Sequence, residues 1–157
     1  MKGTVIAIDP GYDRVGIAVM KGTALAHSEC FTPATKDFSG RLKAVHDRIA
    51  ELIVEHRPDA LALETLFFQK NLKTAIRVAE ARGVIILTAA EGGIPLFEYS
   101  PQDVKMAVTG FGAARKDAVI RMVEKLVPMA KKKRQDDEYD AVALALAHQS
   151  RSRFADL

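Results

Sequence analysis

The chain of 157 residues is 48% apolar with a formal charge of only +3, enough sequence for one core and too near neutrality for net charge to name a partner. Its one cysteine, Cys30, excludes an internal disulfide and fits a reducing compartment. No apolar run approaches the roughly 20 residues that span a bilayer, and the first residues lack the length and flanks of a signal peptide, so a cytoplasmic protein is expected.

Three short apolar runs come first, Thr4–Ile8, Val15–Met20 and Ala24–Phe31. Gly11 and Gly16 punctuate the first connection and Lys21-Gly22 makes the second a tight turn, which predicts an antiparallel meander. Ser39 is placed to cap a helix running to about His56, with Leu42, Val45, Ile49, Leu52 and Ile53 on one face and Pro58 closing it. Ala60–Thr65 is too short for a helix; following one, it reads as a strand parallel to an earlier strand. A long helix is predicted over Asn71–Glu91, with Gly83 the candidate for a break. "PLFEYS" reads as a further strand and Pro101 opens a short helix. Asp117–Val127 is another helix, and Asp136–Ser150 the last. No repeat, linker or composition break divides residues 1–157, so one domain is expected, a mixed sheet with helices on its faces in the α/β class.

Acidic residues stand at telling places in this order. Asp9 ends the first strand and Glu64 the fourth, and neighbouring parallel strands would bring both to one edge of the sheet, where such sheets carry their sites. Polar residues also end strands for no chemical reason. The last helix adds more. With Glu138 and Gln149 taken as its solvent side, Asp140 falls on the packing stripe with Leu144 and Ala147, and Asp136 and Asp137 straddle the first turn. The dipole of a helix start accounts for Asp136 or Glu138 but not for a carboxylate on a packing stripe, which must be compensated. Clustered carboxylates raise one another's pKa, and divalent cations reverse the sign of that problem. Oxygen ligands without His or Cys suit Mg²⁺ or Mn²⁺ rather than Zn²⁺. Two such ions can activate a water and stabilise the departing oxygen of a phosphodiester.

"AIDPG", "LETLFFQKN", "ARGV", "FEYSPQDVK", "GFGAARK" and "DDEYDAVALALAH" occur in an order that resembles the RuvC family of bacterial Holliday junction resolvases, from about Val5 to His148. "IDPG" alone is weak; the ordered set is specific. The resemblance implies a ribonuclease H-like fold, a mixed five-stranded sheet of three antiparallel strands followed by parallel ones, with helices on both faces. It implies a homodimer that nicks two strands of like polarity across four-way junction DNA, using two Mg²⁺ per site, with Mn²⁺ an alternative. The acidic tetrad carries over to Asp9, Glu64, Asp137 and Asp140, selecting Asp137 where helical periodicity left Asp136 and Asp137 open. Asp13 and Asp136 are then solvent-facing. A branch-migration helicase complex, RuvA/RuvB, is the implied partner.

Of Phe67 and Phe68, one can be core and the other a loop cover; the resemblance makes one of them a stacking surface for an unpaired base, Phe67 matching more closely. Lys70, Lys105 and Lys116 fall on matching basic positions, with Arg115 beside the last. Lys105 and Lys116 flank a glycine-spaced loop where backbone can approach phosphate, which makes them the favoured DNA contacts. The run Lys131–Arg134 is a weaker candidate, a solvated loop or a phosphate-contacting one. The four histidines do not cluster in sequence, and Arg82-Gly83, Met106 and Cys30 read as packing or turn residues. Rival readings are a ribonuclease H-like nuclease for another structured nucleic acid, an actin-like ATP-binding domain, which needs two such domains, and a junction-binding protein without catalysis.

Overall fold

A computed structural model describes residues 3–65 and 71–155. Strands β1 (Thr4–Pro10), β2 (Val15–Lys21) and β3 (Ala24–Phe31) form the meander, and helix α1 (Phe38–His56) leads to β4 (Ala60–Glu64). Helix α2 (Leu72–Glu91) leads to β5 (Leu96–Tyr99), followed by α3 (Pro101–Thr109), α4 (Lys116–Leu126) and α5 (Asp136–Ala155). The five strands lie in the order β3-β2-β1-β4-β5. β1 runs antiparallel to β2 and parallel to β4, which is parallel to β5. The expected mixed sheet is therefore present, with both crossovers supplied by helices. Among the described residues, no helix is long and apolar enough to cross a membrane.

Because side chains alternate along a strand, the sheet has two distinct faces. Ile6, Ile8, Ile17, Val19, Leu61 and Leu63 point to one face and pack against Val45, Ile49 and Leu52 of α1 and Ile85 of α2. Val5, Ala7, Ala18, Ala60 and Ala62 point to the other, against Ala141, Leu144, Ala145 and Ala147 of α5, with α3 and α4 beyond. The first face is built of large branched side chains; the second is mostly alanine, so α5 lies close to the strands.

Three local expectations change. The cap of α1 is Asp37, not Ser39: its carboxylate accepts the Gly40 N–H at 2.8 Å and the Ser39 hydroxyl at 2.8 Å. An ionised oxygen is the stronger acceptor, so the helix begins earlier. Second, α2 runs unbroken through Gly83, which faces open space; buried Ala81, Arg82 and Ile85 hold the helix where propensity alone would weaken it. Third, Glu138 and Gln149 do not form a solvent side on α5: they are 4% and 8% exposed. This helix is packed on several sides, so one wet stripe is the wrong template for it. Glu138 is compensated by Arg134 at 3.2 Å, Lys132 at 3.3 Å and the Ser28 hydroxyl at 2.6 Å.

Candidate active site

Strand pairing decides where the acids meet. Ile8 pairs with Leu63, so the next residues, Asp9 and Glu64, end adjacent parallel strands side by side. Asp9 has the parity of Val5 and Ala7, and Glu64 that of Ala60 and Ala62, so both project to the α5 face. Asp9 is also the register partner of Gly16 on β2. An added Cβ at Gly16 would lie 1.9 Å from the Asp137 carbonyl oxygen, so only glycine lets the first turn of α5 settle there. Asp137 and, one turn on, Asp140 are thereby delivered to the strand ends.

Carboxylate oxygens of Asp9, Asp137 and Asp140 lie within 4.8 Å of one another. Glu64 joins them through a hydrogen bond with Asp9. Burial, then the charges of Glu64, Asp140 and Asp137, push Asp9 up to about 9. Burial first and Asp140 second raise Glu64 as well. Burial likewise raises Asp140, opposed by the Lys116 ammonium. Without a cation among these acids, burial and like charge thus favour the protonated form of Asp9. Among the described residues, every ligand atom of this group is a carboxylate oxygen. These residues fit a hard divalent cation.

Cations already reach the rim. Lys116 Nζ lies 3.2 Å from Asp140 and 3.3 Å from Asp136, and Arg14 pairs with Asp137. Beneath the strand ends, the buried Arg82 guanidinium donates to the backbone carbonyl of Glu64 and pairs with Glu98 of β5. It ties α2, β4 and β5 together at the residue that matters.

A model of the family described as crossover junction endodeoxyribonuclease RuvC matches residues 5–148. The chain belongs to the RuvC family. Relatives of that name include one from Moorella thermoacetica, 44% identical over 93% of this chain and 90% of the relative. Another, from Brachyspira hyodysenteriae, is 43% identical over 94% of each. The solved structure of T. thermophilus RuvC in complex with a Holliday junction substrate superposes with a TM-score of 0.90 at 32% identity, covering 98% of this chain and 96% of that one. The yeast mitochondrial resolvase Ydc2 shares the fold at 13% identity, with a TM-score of 0.73 over 99% of this chain and 81% of its own. Membership makes the chain a nuclease of the RuvC type.

The RuvC motifs carried over from sequence divide into those the fold gathers and those it leaves apart. Asp9, Glu64, Asp137 and Asp140 converge, with Lys116 bound to the last of them rather than standing free. Lys105 on α3 is near enough to Glu64 to oppose the rise in its pKa. Arg115 precedes α4 with a side chain 91% exposed, 3.7 Å from Asp117. Phe67, Phe68 and Lys70 lie outside the described residues. Asp13 and Asp136 are exposed, as expected, though Asp136 shares Lys116. Gly16, Arg14 and Arg82 take part in the site although sequence reasoning missed them. Cys30, expected as a packing residue, sits 3.9 Å from Asp137, and burial, then that charge, raises its thiol. For Gly16, the only signal was a glycine inside an otherwise apolar strand, which marks a close backbone approach.

Proposed function

We propose that the protein resolves four-way DNA junctions as a homodimer, each protomer acting as one nuclease domain that cuts one of two strands of like polarity. The observation that carries the reading is the convergence of Asp9, Glu64, Asp137 and Asp140 from β1, β4 and α5 at one sheet edge. These four residues would hold two Mg²⁺ per site, with Mn²⁺ able to substitute. When bound, the ions supply a water of lowered pKa and neutralise charge on the leaving 3′ oxygen. β1 and β4 hold Asp9 and Glu64 rigidly, and the first two turns of α5 bring Asp137 and Asp140 opposite them. Lys116 stands beside Asp140, where it contacts the phosphate being cut. Lys105 and Arg115 contact flanking phosphates, Lys70 another, and Phe67 or Phe68 stacks on a base freed at the junction centre. Hydrolysis of the phosphodiester at this site would leave a 5′ phosphate and a 3′ hydroxyl.

Dimerisation is supported by α2. Leu72, Ile76 and Leu87 are 62%, 51% and 55% exposed, and with Ala79 and Gly83 they form one apolar stripe at helical spacing. A second copy offering the same stripe covers it and places two sites on opposed strands. The reading also takes the protein to the cytoplasm, where junctions arise, with the RuvA/RuvB branch-migration complex as partner.

The deciding experiment compares cleavage of a labelled synthetic four-way junction with that of a linear duplex, with Mg²⁺ and with chelator. Paired nicks in the junction alone, lost with chelator, are expected; equal cutting of duplex would favour a nuclease for other substrates. Leu87→Glu is expected to yield monomers in ultracentrifugation and to uncouple the two nicks.

A further inference from the structure

On the opposite face of the sheet from α5, the connection between β1 and β2 overhangs a second depression. Tyr12 and Asp13 form one wall, and Lys36, Phe38, Arg41 and Arg77 the others, enclosing an open pocket of about 340 Å³. Its parts come from three places in the chain: the β1–β2 turn, the entry to α1 and the second turn of α2. Among the described residues lining it, three cations face the carboxylate of Asp13, which is 77% exposed and lies 3.9 Å from Arg41.

The cations are held ready. The Arg77 guanidinium lies over the Phe38 ring, 3.9 Å from its centroid, a stacked geometry that leaves its edge free to donate. Arg77 also pairs with Glu80 at 3.4 Å, on the same helix. Arg41 donates to the Asp13 carbonyl at 2.5 Å and to that of Thr35 at 3.4 Å, which fixes its planar head against the turn. Lys36 is exposed at the rim. The positive character comes from side chains, since the Asp37 carboxylate caps the α1 start by accepting from the Gly40 N–H. Tyr12, 48% exposed, adds an aromatic surface. Cations interleaved with aromatics make the surface that follows a nucleic-acid backbone.

The pocket's position gives it a role. Its wall, Tyr12 and Asp13, continues the strand that carries Asp9, and the next residue, Arg14, pairs with Asp137. We infer that this pocket is a second DNA-backbone site, in which Lys36, Arg77 and Arg41 hold a phosphodiester of the junction a few nucleotides from the cut, with Tyr12 against its sugar or base. An occupied pocket braces the β1–β2 turn and so sets the register of the scissile phosphate over the carboxylates. The inference rests on the junction-binding reading above.

The test is junction binding in chelator, so that nothing is cut, over a series of salt concentrations. Wild-type protein is compared with Lys36→Ala, the double variant Lys36→Ala/Arg77→Ala, and Arg77→Lys. Each phosphate contact removed is expected to make the slope of log affinity against log salt shallower by about 0.7–0.9. Junctions with single neutral methylphosphonate linkages then locate the contact. At one linkage near the cut, neutralisation weakens the wild type and no longer weakens the double variant, while Arg77→Lys keeps part of the effect. Should the double variant unfold, Lys36→Ala carries the test, since that side chain is exposed at the rim. Slopes and interference patterns identical to wild type in folded Lys36→Ala and double variant overturn the pocket and leave the resolvase reading intact. Failure of wild-type protein to bind the junction at all overturns both.

Discussion

The two faces of the sheet follow opposite designs. Against α1 and α2, the strands present Ile6, Ile8, Ile17, Leu61 and Leu63, each fully buried and contributing about 1.5–3 kcal/mol. Against α5 they present alanines and Gly16, which stabilise less per residue but allow backbone to approach backbone. The carboxylates all belong to the second face. Stability is concentrated on one side of the sheet and chemistry on the other, because repelling acids need a thin, exact fit more than a thick core.

Substitutions can separate the two. Asp9→Asn is expected to have the largest effect, abolishing cleavage of a labelled junction while gel-shift binding is largely retained; full cleavage by this variant would falsify the site. Next is the contrast of Gly16→Ala with Ile49→Ala. The first drives a methyl into the Asp137 carbonyl and should displace α5, so cleavage falls steeply at modest cost in stability. The second opens a cavity on the thick face, costing about 2–5 kcal/mol in denaturant melts while the folded fraction keeps its kcat. The reverse ranking would remove the distinction. Arg82→Gln is expected to cost about 1–3 kcal/mol and to lower kcat with KM little changed, because the Glu64 backbone loses its anchor.

The mildest test alters only pH. An aspartate free of the fold ionises at 3.8, and Asp9 in the folded protein at about 9, so between those values the native protein holds the extra proton. Stability in chelator should therefore fall as pH rises from about 4 to about 9, a slope that Asp9→Asn flattens. Divalent ions must displace that proton, so their affinity should increase over the same range, measurable by titration calorimetry.

Much of this was legible beforehand. Their places at the ends of two strands expected to be parallel neighbours put Asp9 and Glu64 at one sheet edge, and the ordered motifs selected Asp137. What escaped were relations between distant segments. The burial of Glu138 depends on Arg134 and Ser28, which no helical wheel contains. Ser39 looked like a cap because the pattern fits it as well as Asp37; only the competition between a hydroxyl and a carboxylate separates them. The pocket of Lys36, Arg41 and Arg77 had no sequence signature, since its cations lie on separate elements.

The order in which the elements enter the chain has a last consequence. Two of the four carboxylates stand on β1 and β4, and the other two arrive with α5, after residue 135. A growing chain on the ribosome lacks two of the four carboxylates until α5 has been made, and α5 must still dock against Gly16 to present them. A copy that stops before α5 holds only Asp9 and Glu64 of the four, and the cluster cannot assemble on it.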